Sequence, residues 1–100
     1  MLTLTKEASD KYVELNNLFR SDIAKGITNS KYAMILAVIH DKYRAIQNYP
    51  NVGSIVSKYS FEGREYDLKS VPLTEGWKML YIDLGDYSIK VVDFVNNESK

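Results

Sequence analysis

The last third of the chain constrains the fold most, because it predicts three consecutive β-strands. Segments 65–73, 77–84 and 87–95 are rich in aromatic and β-branched residues, which favour strands. Gly85 and Asp86 separate the second and third segments, and glycine at the first loop position suits a type II′ two-residue turn. The chain is therefore expected to build an antiparallel meander, one face of which must be covered by the residues before it.

Two amphipathic helices are predicted ahead of the meander. Thr5 is suited to cap the start of the first helix and Gly26 to end it. The second helix is predicted from about Lys31 to Gln47, with an N-cap from segment 28–30. Apolar residues at helical spacing form the stripe Ala8, Tyr12, Leu15, Phe19 and Ile23 in the first helix, and Tyr32, Ile35, Leu36, Ile39, Tyr43 and Ile46 in the second.

The order of these elements predicts an α+β fold. Leu2–Leu4 alternates and predicts a short N-terminal strand ahead of the helices. We expect one domain over residues 1–100, with two helices packed on one face of a three- or four-stranded antiparallel sheet. The polar residues 96–100 are expected to form a frayed tail.

Composition narrows the classes of function. The absence of cysteine excludes disulfides, Cys-ligated zinc and thiol catalysis. The single histidine, His40, removes sites built on histidine pairs and disfavours a Ser-His-Asp triad. We therefore expect neither a metal nor a cofactor. The 13 basic and 13 acidic residues cancel, whereas a dedicated nucleic-acid binder usually carries a basic excess.

Hydropathy and the N-terminal sequence predict the location of the protein. No apolar run approaches the ~20 residues that a membrane helix needs. The first residues lack the basic and apolar segments of a secretory signal. We expect a cytoplasmic protein that does not enter a membrane, and the cysteine-free composition is compatible with a reducing compartment.

The predicted turn at Gly85–Asp86 also determines which side chains share a sheet face. The set expected to face the helices is Leu80, Ile82, Leu84, Tyr87, Ile89 and Val91. The set expected on the opposite face is Trp77, Met79, Tyr81, Lys90, Val92 and Phe94. This second set is apolar apart from Lys90, so it predicts a surface that binds a partner. The alternatives are that segment 48–63 folds over this face or that the face lies in a dimer.

A family resemblance is carried by the same strands. Residues 66–69 have the sequence Tyr-Asp-Leu-Lys, and residues 76–81 have the sequence Gly-Trp-Lys-Met-Leu-Tyr. They resemble the central strands of the RelE/ParE toxin superfamily, which carry Tyr-basic-x-Lys and then Gly-aromatic-Arg-apolar-apolar-Tyr. Residues 4–8 resemble the passage from the first strand to the first helix of that family, and the order of elements also matches.

The resemblance implies the toxin of a toxin–antitoxin pair. RelE-like members cut mRNA on the ribosome, and ParE-like members inhibit DNA gyrase. On this basis Lys69 and Lys78 match residues that contact phosphate, and they are the candidate catalytic residues of a possible endoribonuclease. Cations there would offset the negative charge that develops during phosphoryl transfer. The implied partners are an antitoxin or target protein, and RNA or the ribosome.

The chain departs from the family pattern at three places. Lys78 replaces an arginine and loses bidentate phosphate geometry. Asp67 occupies a basic position and would repel phosphate. Residues 96–100 replace the C-terminal Gly-x-Arg and the Tyr or His that follows it.

Two functions stay open at this point. The first is a toxin-type inhibitor of an essential process, through mRNA cleavage or a gyrase-like target. The second is a non-catalytic regulator or inhibitor that binds a protein through the apolar sheet face, with Trp77 and Phe94 as anchors. Arg64, at the entry to a strand, would contact RNA or a partner carboxylate, or be solvated. If Lys69 and Lys78 do not bind phosphate, the aliphatic parts of their side chains would cover apolar neighbours. Lys78 would also pair with Asp93 across the hairpin.

Overall fold

The computed structural model describes residues 1–96, which form two helices and a five-stranded sheet. The elements are β1 (Leu2–Leu4), α1 (Lys6–Ala24), α2 (Lys31–Asn48), β2 (Ser54–Phe61), β3 (Arg64–Pro72), β4 (Trp77–Gly85) and β5 (Ser88–Asn96). The predicted α+β class is confirmed. Asn96 belongs to β5, not to a tail, and the expectation of a frayed end at residues 97–100 lies outside the described residues.

The sheet is mixed and has the strand order β1-β5-β4-β3-β2. β1 runs parallel to β5, and the other neighbours are antiparallel. The expected purely antiparallel sheet of three or four strands is therefore wrong in both number and direction. The additional strand is β2, an edge strand whose side chains are mostly exposed. An exposed edge needs no apolar alternation, which is why the sequence pattern there is weak.

Local side-chain caps start both helices where the sequence predicts them. The Thr5 hydroxyl accepts a hydrogen bond from the backbone N–H of Ala8 at 3.2 Å. The Ser30 hydroxyl accepts from the N–H of Tyr32 at 3.1 Å and donates to the Asp22 carboxylate at 2.7 Å. Ser30 is buried, so this bond ties the start of α2 to the end of α1. These contacts satisfy N–H groups that a helix start leaves unpaired.

The β4–β5 hairpin turns one residue later than predicted. Gly85 pairs with Ser88, so the turn residues are Asp86 and Tyr87, which have positive φ angles of 53° and 62°. Two positive φ angles are the type I′ pattern, whose twist matches that of paired strands. A bulge at Val92 shifts the register again farther along the hairpin. The register predicted from a Gly85–Asp86 turn is therefore wrong.

The changed register reverses the face of several predicted site residues. Met79, Tyr81 and Phe94 are fully buried in the core beneath the helices, and Trp77 packs against that core. The sequence placed all four on the open face, and that prediction is wrong. The other residues of the core are Ala8, Leu15, Ile35, Leu36, Ile39, Ile46, Val71, Ile89 and Val91. Ile89 and Val91 thus face the helices, as predicted.

The face of the sheet opposite the helices is also covered in part. Ile82 and Val92 follow the core residues Tyr81 and Val91 in their strands, so they point to this outer face. Both are buried. The sequence placed Ile82 on the face toward the helices, and that prediction is wrong. The Nζ of Lys90 lies 5.0 Å from the centre of the Phe61 ring, which brings the tip of the β2–β3 hairpin over β5. Part of segment 48–63 therefore lies over the outer face.

None of the described helices has the combination of length and apolar character that a membrane span requires.

Candidate functional site

Lys69, the first candidate catalytic lysine, is engaged inside the protein. Lys69 is buried, with 8% of its surface exposed. Its Nζ donates a hydrogen bond to Asn51 Oδ1 at 2.8 Å and a longer one to the Pro50 carbonyl at 3.4 Å. The positive charge of Lys69 is thus directed at the turn that follows α2.

Lys78, the second candidate, lies on the opposite face of the sheet. It precedes the core residue Met79 in β4, whereas Lys69 pairs with Tyr81 and shares the face of that core side chain. The structure therefore does not bring the two lysines to one site. The predicted ion pair between Lys78 and Asp93 is also wrong, because Lys78 stands opposite Val95.

Asp93 has a different cationic partner. Its carboxylate lies 3.2 Å from the Nζ of Lys11, which also donates to the carbonyl of Phe94 at 3.0 Å. These contacts fix the start of α1 against the end of β5. The Asp93 charge therefore has a structural role at a helix–sheet contact.

The remaining predicted site residues are dispersed. Arg64 is exposed at the start of β3, opposite Phe61 and next to the turn of the β2–β3 hairpin. Lys90 lies over the Phe61 ring, and Val92 is buried on the outer face. Since Trp77, Met79, Tyr81 and Phe94 belong to the core side of the sheet, the nine predicted residues do not form one surface.

The turn after α2 is held by two buried polar side chains. Tyr81 Oη donates to the Pro50 carbonyl at 2.7 Å and accepts from the Gly53 N–H at 2.9 Å. Burial raises the pKa of the Tyr81 hydroxyl, which keeps the donated proton in place. A Cβ at Gly53 would stand 2.7 Å from Tyr81 Oη and 3.0 Å from the Ser70 carbonyl oxygen. Glycine is therefore required for this close approach.

Four large apolar side chains are exposed in the same turn and in the first half of β2. Tyr49, Val52, Ile55 and Val56 are 71%, 57%, 62% and 56% exposed. We call these four residues the apolar edge. No charged residue lies between Tyr49 and Ser57. The sequence did not predict this exposure, because Ile55 and Val56 were interpreted as loop residues that could cover an edge of the core. The β-branched and aromatic residues of Ser54–Phe61 were the signal for a strand.

A polar cleft opens where β3 diverges from β4. The paired residues of these strands end at Lys69 and Tyr81, whereas β3 remains paired with β2 as far as Arg64. The cleft has a volume of about 330 Å³ and is lined by Lys58, Glu65, Tyr66, Asp67, Lys69 and Asp83. Three carboxylates against two amines make it a poor site for a phosphate anion.

The charges in this cleft are already partly paired. The Lys58 Nζ lies 2.5 Å from the Asp67 carboxylate, and this hydrogen bond lowers the pKa of Asp67. Among residues 1–96, no three His, Cys, Asp or Glu side chains are grouped in a way that would hold a metal ion.

Comparison of the sequence with protein-family models and with curated proteins finds no match.

A cluster of three rings joins the two helices. A 2.9 Å hydrogen bond joins Tyr12 Oη and His40 Nε2, and the His40 ring meets the Tyr43 ring edge-on at 5.5 Å. Burial, with a smaller effect from Tyr12, raises the pKa of Tyr43 to about 12. His40 therefore acts here as a contact between helices.

Alkaline pH is expected to destabilise the protein through Tyr43. The unfolded tyrosine loses its proton near pH 10, its ordinary pKa, whereas the folded one retains it up to about pH 12. Between these two pH values the unfolded state binds fewer protons than the folded state. The stabilisation contributed by Tyr43 is therefore complete below pH 10 and declines as the pH rises towards 12. Denaturant unfolding over this pH range should show the decline, and Tyr43→Phe should reduce it. The exposed control Tyr49→Phe should leave it unchanged; a decline that persists fully in Tyr43→Phe would contradict this assignment.

Proposed function

We propose that this chain is a RelE/ParE-like inhibitor that acts by binding a protein and does not cleave RNA. The observation that carries the proposal is the separation of the two candidate cations. Lys69 donates to Pro50 and Asn51, and Lys78 lies on the other face of the sheet. Phosphoryl transfer needs preorganised positive charge around one group, and separate faces do not supply it.

The arrangement of elements supports the RelE/ParE-like part of the proposal. The chain runs from a short strand through two helices into a meander. The resembling segments 66–69 and 76–81 lie in or beside the central strands β3 and β4. Under this proposal the resemblance concerns architecture, and the phosphate-binding role of the motif lysines has been lost.

The protein-binding part is supported by charge and surface. The net charge is zero, so the long-range attraction that draws basic proteins to nucleic acid is missing. The apolar edge exposes four large side chains in one stretch of chain. Exposed apolar residues grouped in this way are typical of protein interfaces. The partner would be a target protein or an antitoxin.

Induced expression in a bacterial host tests the proposal. We expect the wild-type chain to slow growth without producing new mRNA ends, and Lys78→Ala to slow growth equally. Lys31→Ala, at an exposed position on α2, serves as the matched control. Growth arrest with new mRNA ends that disappear in Lys78→Ala would establish an endoribonuclease instead. Unimpaired growth with the wild-type chain would remove the inhibitory role.

A binding assay separates the same two functions in vitro. Purified chain is expected to show no association with single-stranded RNA at physiological salt. Lowering the salt concentration should add little affinity, because a chain of zero net charge has no overall attraction for phosphate groups. RNA binding that weakens steeply with salt would contradict the proposal.

A further inference from the structure

The outer edge of β2 carries backbone groups that no strand among residues 1–96 pairs with. The strand order ends at β2, which pairs along one side with β3. Along its other side, alternate N–H and C=O groups of Ser54–Phe61 face away from the sheet. A row of such groups can pair with another extended strand.

The side chains along this edge do not prevent such pairing. Edge strands are usually protected by charged residues, proline, or a covering helix or loop. In β2 the charged residue is Lys58, and its amine is already paired with Asp67 of the neighbouring strand. A bulge at Val56 disturbs the first half of the strand. Regular pairing therefore remains available from Ser57 to Phe61, with the apolar edge beside it.

The first part of the apolar edge belongs to a turn that is held by hydrogen bonds. Tyr81 and Lys69 together fix Pro50, Asn51 and Gly53 through four hydrogen bonds. Tyr49 and Val52 are part of this turn, and β2 begins directly after it. A surface that is ordered in advance loses less conformational entropy on association.

We propose that β2 pairs antiparallel with β2 of a second copy of this chain, forming a dimer that continues the sheet across a two-fold axis. The edge requires an extended segment rich in strand-forming residues, and β2 itself, with Lys58 as its one charged residue, has this composition. Antiparallel strands of identical sequence are self-complementary about a two-fold axis. This inference does not depend on the proposed function.

Charge is compatible with this pairing. An axis through Tyr59, the centre of the regular segment Ser57–Phe61, places Lys58 opposite Ser60 of the other copy. The two lysines then do not face each other, and like charges directly opposite would destabilise the pair. The net charge of zero means that two copies carry no overall repulsion.

The oligomeric state of the purified chain tests the proposal. Sedimentation equilibrium between about 1 μM and about 1 mM covers the affinities expected of small interfaces. The wild-type chain should move from its monomer mass of 11.5 kDa towards twice that mass. Val56→Lys places a charge beside the pairing segment and should raise the dissociation constant at least tenfold. Val13→Lys, at an apolar position of similar exposure on α1, should dimerise like the wild type.

Each alternative outcome overturns the dimer. A wild-type chain that keeps the mass of 11.5 kDa at every concentration would rule out the dimer, and β2 would then be available to pair with a segment of a different protein. Equal dimerisation of Val56→Lys and the wild type would place the interface elsewhere, as would equal weakening by Val13→Lys. Circular dichroism of the variants shows whether each is folded. Growth and RNA assays are separate readouts, so failure of the dimer and failure of the proposed function are distinguishable.

Discussion

Replacing Phe94 with alanine is expected to lower the free energy of unfolding by about 3–5 kcal/mol. Phe94 is fully buried between the sheet and the helices, opposite Met79 in the neighbouring strand. Truncation removes the transfer free energy of the ring and leaves a cavity that the surrounding side chains fill only in part. Urea unfolding of the purified variant measures the loss.

Met34→Ala is the matched control for this prediction. Met34 is 55% exposed on α2, so its truncation should change the free energy of unfolding by no more than about 0.5 kcal/mol. A loss of under about 1 kcal/mol in Phe94→Ala would not fit a large core side chain. It would instead support the register in which Phe94 lies on an open face.

Tyr81→Phe is expected to cost about 1–3 kcal/mol, although it removes a single oxygen atom. The change removes the hydroxyl that accepts the hydrogen bond from the Gly53 N–H. It also leaves the Pro50 carbonyl with the longer hydrogen bond, of 3.4 Å, from Lys69 Nζ. Buried or half-buried polar groups that lose a partner keep their desolvation cost. Urea unfolding measures the total effect, and limited proteolysis should show faster cleavage near Tyr49–Gly53.

Tyr49→Phe removes the same atom from an exposed residue of the same turn. Tyr49 is 71% exposed, so we expect almost no change in stability or in cleavage rate. If Tyr81→Phe behaved like this control, the two hydrogen bonds of the hydroxyl would not be what holds the turn.

The helices could be predicted from the sequence because their signals are local. Thr5 and the 28–30 segment have the side chains that cap a helix, and the structure uses Thr5 and Ser30 in this way. The apolar stripes need a spacing of three or four residues, which is independent of what the helices pack against. The meander was likewise predictable from its aromatic and β-branched content.

The face of β4 could not be predicted, because it depends on which two residues form the β4–β5 turn, and the position of Phe94 depends on the bulge at Val92. Gly85 favoured a turn at Gly85–Asp86, but Asp86 and Tyr87 adopt positive φ angles instead. Aspartate tolerates that conformation, whereas tyrosine rarely adopts it, so local preference pointed to the wrong pair. A shift of one residue exchanges the two faces of a strand.

The apolar edge was not predicted for a related reason. The predicted binding surface lay on strands that belong in part to the core, and segment 48–63 was expected to be a loop that could cover the sheet. The role of Lys69 in fixing the turn at Asn51 depends on contacts between residues far apart in sequence, which no local pattern contains. Exposure of Ile55 and Val56 follows from their place at the sheet edge, which topology alone determines.

The parallel pairing of β1 with β5 means that β1 cannot take its place in the sheet until β5 has been synthesised. Leu2 lies beside Ile89 and Leu4 beside Val91, so β1 has no partner strand until residues 88–96 exist. Pairing across such a separation is slow, because the loop must close before any contact forms. Until then the edge of β5 is open, and any chain that reaches it first competes with β1. Once residues 88–96 are made, the rate at which β1 docks therefore sets how long the newly made protein exposes the edge of β5.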